Sequence, residues 1–324
     1  METALFGWQA DAVNYVNQTA GVYELLASGI KEHCGGFDGK TVLEIGAAFQ
    51  LPHGGLNLVL AIRDGARQCF GIDITHPCMG CSAPDKVAFW KAAKERLGVE
   101  CDGIAQNRVC FWSTDVLHYD DFFSKIVQLQ MSASNMWFRD GMFDVVFSNA
   151  VFEHVKDARN VLREMYRVLK PGGSAYHHWN PATGLVMGGH DVGMPYYYPW
   201  AHLRLSEPEH VEKLATVLAD PALYTTAFPP GHTLTPERAA TLAKDPKTFR
   251  RNMMEDLNML RVGDLHEFAK SAGFVVLYEN FNIHEEDRVY LTPEIREELP
   301  GYSDDELLTF FHSFALHKPL SAAR

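Results

Sequence analysis

Basic residues are scarce in this chain. Lysine and arginine number 29 against 41 aspartates and glutamates, a formal net charge of −12. A surface of that sign repels phosphate backbones and anionic lipid, so neither nucleic acid nor a membrane surface is expected as a partner. The first 30 residues hold no Lys or Arg at all, and no signal peptide with a charged leading region is expected. Long apolar runs are missing too. The longest candidate, residues 56–62, falls far short of the ~18 residues that a membrane span needs. Six cysteines do not make a disulfide framework, which points to a reducing, cytoplasmic compartment. Internal repeats and low-complexity segments are also absent. A chain that is 47% hydrophobic and 22% charged suits a globular protein and excludes the disordered and fibrous classes.

Short apolar runs alternate with stretches of helical periodicity. Residues 5–33 carry apolar positions at helical spacing and predict one or two amphipathic helices before Gly35, Gly36 and Gly39 break the pattern. Strands are predicted at 41–45, 68–74, 108–112, 143–148 and 174–179, with helices over about 54–65, 84–97 and 157–169. The last of these helices is expected to stop at Lys170-Pro171-Gly172-Gly173. Alternation of this kind predicts a doubly wound α/β sheet, with ligands at the carboxyl edge of its strands. The rhythm breaks after Asn180, and helices are expected near 207–219 and 235–260. It resumes with a helix at 262–272, a strand at 273–278 and a closing strand at 308–316. A connection that long is usually functional, often a lid over a site.

Several strand ends carry chemistry. Val42-Leu43-Glu44-Ile45-Gly46-Ala47-Ala48 turns a strand into a helix at a corner of small residues, where a ligand can approach the backbone. A tight structural turn would look much the same. Asp73, in Gly71-Ile72-Asp73, can accept from both hydroxyls of a ribose, although an Asp ending a strand is often only a turn former. Asp115, in Ser113-Thr114-Asp115-Val116, can accept from an adenine amino group or cap a helix. Residues 143–155, opening with Phe143-Asp144-Val145-Val146-Phe147-Ser148-Asn149, and residues 161–173, closing with Leu169-Lys170-Pro171-Gly172-Gly173, complete the set.

In this order the five stretches resemble the class I S-adenosylmethionine-dependent methyltransferases, over residues 40–180 and again over 262–324. The resemblance implies a seven-stranded Rossmann-like sheet with its last strand antiparallel, and S-adenosylmethionine as cofactor. It implies that Glu44, Gly46 and Ala47 lie beside the methionine part. Asp73, with Ile74 next to it, takes the ribose; Asp115 and Val116 hold the adenine; Asn149 lies by the methyl-transfer edge. One departure stands in the first loop, where Ala48 and Gln50 replace two glycines of the family pattern. A dinucleotide oxidoreductase would want Gly-x-Gly-x-x-Gly, of which only Gly46 is present.

The chain then divides into an N-terminal helical segment (1–40), a cofactor-binding core (41–180), a substrate lid insertion (181–262) and a completion of the sheet (263–324). A hydroxyl acceptor needs a base, and His190 in Gly188-Gly189-His190-Asp191 is the first candidate, followed by His154 and His178. Each has a plain alternative as a structural hydrogen-bonder. Glu153 reads equally as a ligand-binder or an ion-pair partner. The aromatic run 195–200 reads as lid core or as a stacking surface. Lys244, Lys247, Arg250 and Arg251 read as a solvated helix face or as a contact for an anionic substrate. Cys78 and Cys81 lack a second pair, so free thiols and no metal are expected. The expected activity is methylation of a small molecule, on a hydroxyl of a saccharide or natural-product acceptor. Methylation of a small amine and a non-catalytic cofactor-binding role are the alternatives.

Overall fold

The computed structural model describes residues 12–48, 54–75, 83–99, 125–184, 186, 188, 198–226, 235–255 and 257–320. Its centre is a seven-stranded sheet. The strands are β1 Thr41–Ile45, β2 Gln68–Asp73, β3 Ile126–Gln130, β4 Phe143–Asn149, β5 Leu169–Trp179, β6 Val275–Ile283 and β7 Thr309–His317. They lie in the order β3-β2-β1-β4-β5-β7-β6. The ladders joining β1 to β5 are parallel, and β7 runs antiparallel to both neighbours. The α/β sheet with an antiparallel last strand is the one expected.

Alternation along each strand sends side chains to two cores. On one face, Val42, Cys69, Val145, Phe147 and Tyr176 meet helices α1 Ala12–Cys34, α2 Leu56–Arg63 and α3 Ala83–Leu97. On the other, Leu43, Ile45, Ile72, Val146 and Phe314 meet α4 Ala158–Val168 and the helix Val262–Ala272. In α4, Val161, Leu162, Met165 and Val168 repeat at helical spacing and are all buried, and Asp157 caps the first turn by accepting from Asn160 N at 3.0 Å.

Three boundaries differ from expectation. The N-terminal region, from Ala12 on, is one helix. α4 ends at Val168, and the Lys170–Gly173 stretch is an irregular opening of β5: the register with β4 shifts between Phe143 and Val145. The strand beside β2 is Ile126–Gln130; the segment 108–112 lies outside the described residues. Ile126, Val127 and Leu129 form an apolar run, but Gln128 and Gln130 interrupt it and mask the strand. Gln128 is nevertheless buried in the sheet.

After β5 the chain forms α5 Ala201–Arg204, α6 Glu207–Ala219, α7 Pro221–Thr226, α8 Pro236–Leu242 and α9 Pro246–Glu255 before α10, the helix Val262–Ala272. The expected helical stretch 235–260 is therefore two helices, each opened by a proline. The beginning of this stretch is embedded in the sheet's far end. Trp200 is fully buried, donates Nε1–H to the Leu307 carbonyl at 3.1 Å, and packs with Val186, Ile295, Leu299 and Leu308. Ile295 belongs to α11 Pro293–Glu298, which Leu299 follows, and Leu307 and Leu308 to α12 Asp304–Leu308, both between β6 and β7. Val217, Leu218, Tyr224 and Ala239 form a separate small core among α6, α7 and α8. Among the described residues no helix is long and apolar enough to cross a membrane.

Candidate active site

The carboxyl ends of β1, β2 and β4 meet at one corner. Glu44 is buried and points toward α2, where Asn57 donates Nδ2–H to its Oε1 at 2.6 Å. Its other oxygen, Oε2, is buried without a partner. Burial pushes this carboxyl up to about 8; the Asn57 bond opposes the shift and the Asp73 charge adds to it. Gly46 follows with a left-handed backbone, φ 69°. A Cβ there would lie 2.3 Å from Val151 Cγ2, so only glycine fits between β1 and the segment after β4. Ala48 also has positive φ, 52°, in the loop where the family pattern carries glycine. That conformation costs an L-residue about 1–2 kcal/mol.

Asp73 holds the corner together. Its Oδ2 accepts from Ala48 N at 2.9 Å, and its Oδ1 accepts from Thr75 N at 2.8 Å and Thr75 Oγ1 at 2.6 Å. Oδ2, with one donor, keeps lone-pair capacity for another. Ile74, the next residue, is 74% exposed, a large apolar side chain standing in solvent beside the carboxylate. The end of β3 closes the other side: Met131 N donates to the Asp73 carbonyl at 2.8 Å and Gln130 Nε2 to the Ile74 carbonyl at 2.9 Å. The segment beside Asp73 is therefore Met131-Ser132-Ala133. Asp115 and Val116 lie outside the described residues. The expectation of a third strand at 108–112, outside the described residues, drew attention away from this segment, whose signal is the apolar run at 126–129.

Asn149 ends β4 opposite His178 in β5. Ala150 beside it has φ 51° and donates its N–H to the His178 carbonyl at 2.8 Å. Glu153 follows on a 3₁₀ turn, Phe152–His154, and is fully buried. Its Oε1 accepts from Asn180 N at 3.2 Å, while Oε2 has no partner. Burial pushes the carboxyl up to about 7 against two backbone hydrogen bonds. No ion pair holds Glu153 among the described residues. Asn258 instead donates its N–H to the Glu153 carbonyl at 2.7 Å, tying the turn to the end of the insertion.

Two of the three proposed bases fall among the described residues. His190 lies outside the described residues. His154 is exposed on its turn. His178 is buried within the sheet, its Nδ1 2.7 Å from Ser313 Oγ and its ring stacked on Phe311 at 4.5 Å. Its neighbour His177 points to the opposite face, 2.7 Å from Ser148 Oγ. Burial holds His177 down at about 3, and burial with the His312 charge holds His178 at about 4, so both are neutral in the folded protein. Of the basic residues, Arg250 leaves the solvated face: Nε donates to His210 Nδ1 at 3.3 Å and NH1 lies 3.4 Å from Glu207. Cys78 and Cys81 lie outside the described residues.

A second cluster went unread in the sequence. His266 Nε2 and His312 Nε2 lie 2.9 and 2.8 Å from Glu279 Oε1, with ligand atoms close enough to surround a cation. The tautomer argues against that use. Trp179 donates Nε1–H to His312 Nδ1 at 3.0 Å, so a neutral His312 carries its proton on Nε2 and presents an N–H, not a lone pair, to the glutamate. Burial raises the Glu279 carboxyl, but the His312 hydrogen bond and the His266 charge outweigh it and hold Glu279 below the usual carboxylate range. Zinc is expected to leave the ring resonances of His266 and His312 in place. Trp179→Phe frees Nδ1 to take the proton and is expected to make both rings respond; a response in the wild-type protein would overturn the tautomer assignment.

Residues 108–177 match the model of a family described as a methyltransferase domain. An uncharacterized methyltransferase of Mycobacterium sp. (strain JLS) is 38% identical over 69 residues, 21% of this chain and 27% of that protein. An arsenite methyltransferase of Aquipseudomonas alcaligenes is 57% identical over 37 residues, 11% of each chain. The chain thus spans about a quarter or less of the length of these relatives. Among solved structures, an S-adenosylmethionine dependent methyltransferase from Mesorhizobium loti is 13% identical, with a TM-score of 0.43 over 87% of this chain and 92% of its own. The domain match falls on the β3–β5 half of a sheet whose strand order and antiparallel β7 are those that the resemblance to the class I S-adenosylmethionine-dependent methyltransferases implies.

Proposed function

We propose that the chain transfers a methyl group from S-adenosylmethionine to a hydroxyl of a small acceptor. The observation that carries this reading is the corner of Glu44, Gly46, Asp73 and Ile74. It offers an unpartnered buried carboxyl oxygen, a backbone bare of Cβ, a carboxylate with spare capacity and an exposed apolar side chain within one loop system. Those are the donor and acceptor types that an amino group, a sulfonium chain, a ribose and an adenine ring require. Asp73 would accept from the ribose hydroxyls, Ile74 and Met131-Ser132-Ala133 would flank the adenine, and Glu44 and Gly46 would face the methionine end.

The cofactor supplies an activated methyl, so the chain's own task is alignment and exclusion of water. Asn149 and Glu153, at the end of β4, and the Asn180–Gly184 segment after β5 border the acceptor side. In this reading Asp73 has two roles, since the carboxylate that would take the ribose also pins Ala48 and Thr75. Asp73→Ala is therefore expected to weaken binding of the cofactor product, S-adenosylhomocysteine, by about 10- to 100-fold, the loss of a charge-assisted hydrogen bond. Titration calorimetry reads this directly. Undiminished affinity removes the corner as the cofactor site. A single-turnover assay with labelled cofactor and a pool of hydroxylated and amine metabolites tests the acceptor: label on oxygen supports the proposal, label on nitrogen replaces it, and cofactor binding without turnover favours a non-catalytic role.

A further inference from the structure

The insertion holds three buried polar side chains with open valences. Thr183, on the short turn Ala182–Gly184 that follows β5, is fully buried and its Oγ1 has no partner. His202, on α5, places Nε2 2.8 Å from the Ala182 carbonyl, and its buried Nδ1 has no partner. His210, on α6, is fully buried; its Nδ1 accepts from Arg250 Nε at 3.3 Å and its Nε2 has no partner. Orphans of this kind are rare in folded proteins and call for an occupant.

Their partners fix which hydrogens are present. A carbonyl only accepts, so His202 Nε2 carries the hydrogen toward Ala182 and Nδ1 is a bare lone pair. A guanidinium only donates, so His210 Nδ1 is the acceptor and Nε2 carries the hydrogen. Burial holds both rings at about 4, with the Arg250 and His202 charges lowering His210 further, so both are neutral near pH 7. The two histidines thus present one acceptor and one donor, and Thr183 adds a hydroxyl that does either. Gly188 packs against this side of His202, and a Cβ there would sit 2.5 Å from Nδ1, so only glycine leaves room beside that atom.

A group that donates one hydrogen bond and accepts another is a hydroxyl. We infer that Thr183, His202 and His210 form a recognition subsite for an uncharged hydroxyl-bearing part of the acceptor. An ammonium would meet the Nε2–H donor of His210, and a carboxylate would meet the lone pair of His202 Nδ1. The subsite follows β5 directly through Asn180, whose N–H bonds Glu153, so it joins the sheet edge to the helices of the insertion. This inference rests on the proposed methyl transfer to a hydroxyl, and it names positioning residues rather than a base.

The test follows the ring nitrogens of His202 and His210 by ¹⁵N-resolved NMR, with S-adenosylhomocysteine present. Methyl glucoside, a neutral polyol, is the probe, with tetramethylammonium as the charged control. Expected are saturable shifts at His202 Nδ1 and His210 Nε2 with methyl glucoside and none with the control. His210→Leu is expected to lower the probe's affinity by about 10-fold and His210→Gln, which keeps a donor, to retain it, both with unchanged S-adenosylhomocysteine affinity. If the leucine variant does not fold, the wild-type rings decide. Rings that ignore the polyol while the cofactor product binds overturn the inference and leave a fixed water as the occupant. Rings that answer only to the ammonium overturn the hydroxyl assignment. If S-adenosylhomocysteine fails to bind, it is the proposed function that falls, and the response of the rings to methyl glucoside alone still decides the subsite.

Discussion

Gly46→Ala is expected to reduce S-adenosylhomocysteine binding by more than about 100-fold. Two costs add at this position. The left-handed backbone, φ 69°, disfavours any L-residue by about 1–2 kcal/mol. The new Cβ would also fall 2.3 Å from Val151 Cγ2, and that contact is not relieved by a rotamer change alone, since both other Val151 side-chain carbons lie within 3.4 Å. The chain must shift at β1, at the segment after β4, or at both. Either shift moves Ala47 and Ala48, whose N–H groups bond the Ile72 carbonyl and Asp73 Oδ2, and so displaces the carboxylate proposed to take the ribose. The double variant Gly46→Ala/Val151→Ala separates the two costs. It removes the clash and keeps the strained φ, so it should recover part of the affinity and most of the thermal stability. Wild-type affinity in Gly46→Ala would show that no ligand depends on the close approach at this corner.

Where the sequence pattern reaches, it reaches through periodicity. Leu43 and Ile45 against Val42, and Val161, Leu162, Met165 and Val168 along α4, declare which face is buried before any partner is known. That Glu44, Gly46 and Asp73 meet at one corner is legible because the carboxyl ends of neighbouring parallel strands share one edge of a doubly wound sheet. Partnership across the chain was not legible. His178 bonds Ser313 and Trp179 bonds His312, across β5 and β7, contacts separated by more than 130 residues. Nothing in the local spacing says that a histidine at a sheet edge will be claimed by a strand so distant. The same holds for Trp200, whose indole N–H is answered by Leu307. β3 escaped because glutamines at 128 and 130 break its apolar run. Gln130 is exposed at the end of the strand while Gln128 is buried, and a rule tuned to continuous hydrophobic strands passes over both.

Stability is expected to peak near pH 6.5 and to fall on both sides, for opposite reasons. His177, His178, His202 and His210 are neutral when folded, held at about 3 for His177 and about 4 for the others. In the unfolded chain each titrates near 6.5. Their contribution is therefore full above 6.5 and is lost as pH falls toward 4, because the unfolded state binds protons that the folded state refuses. Glu44 and Glu153 work the other way. Burial raises them to about 8 and about 7, while unfolded glutamate titrates near 4.3. Their contribution is present below the unfolded value and is lost as pH rises through 7 and 8. Between about pH 4.5 and 6.5, four histidine protons taken up on unfolding outnumber two glutamate protons released. The balance is a net uptake of protons on unfolding, so stability rises with pH in this window. Above 6.5 only the glutamates remain and the slope reverses. Urea unfolding at half-unit steps from pH 4.5 to 8.5 measures both limbs. Glu153→Gln should flatten the alkaline limb without touching the acid one, since the amide keeps an oxygen for Asn180 N and carries no ionisable proton. His178→Gln should make the acid limb shallower by about one proton. A curve that climbs steadily from pH 6.5 to 8.5 would mean that the two buried glutamates ionise freely in the folded protein, and hence that Glu44 Oε2 and Glu153 Oε2 are wet rather than waiting for a ligand.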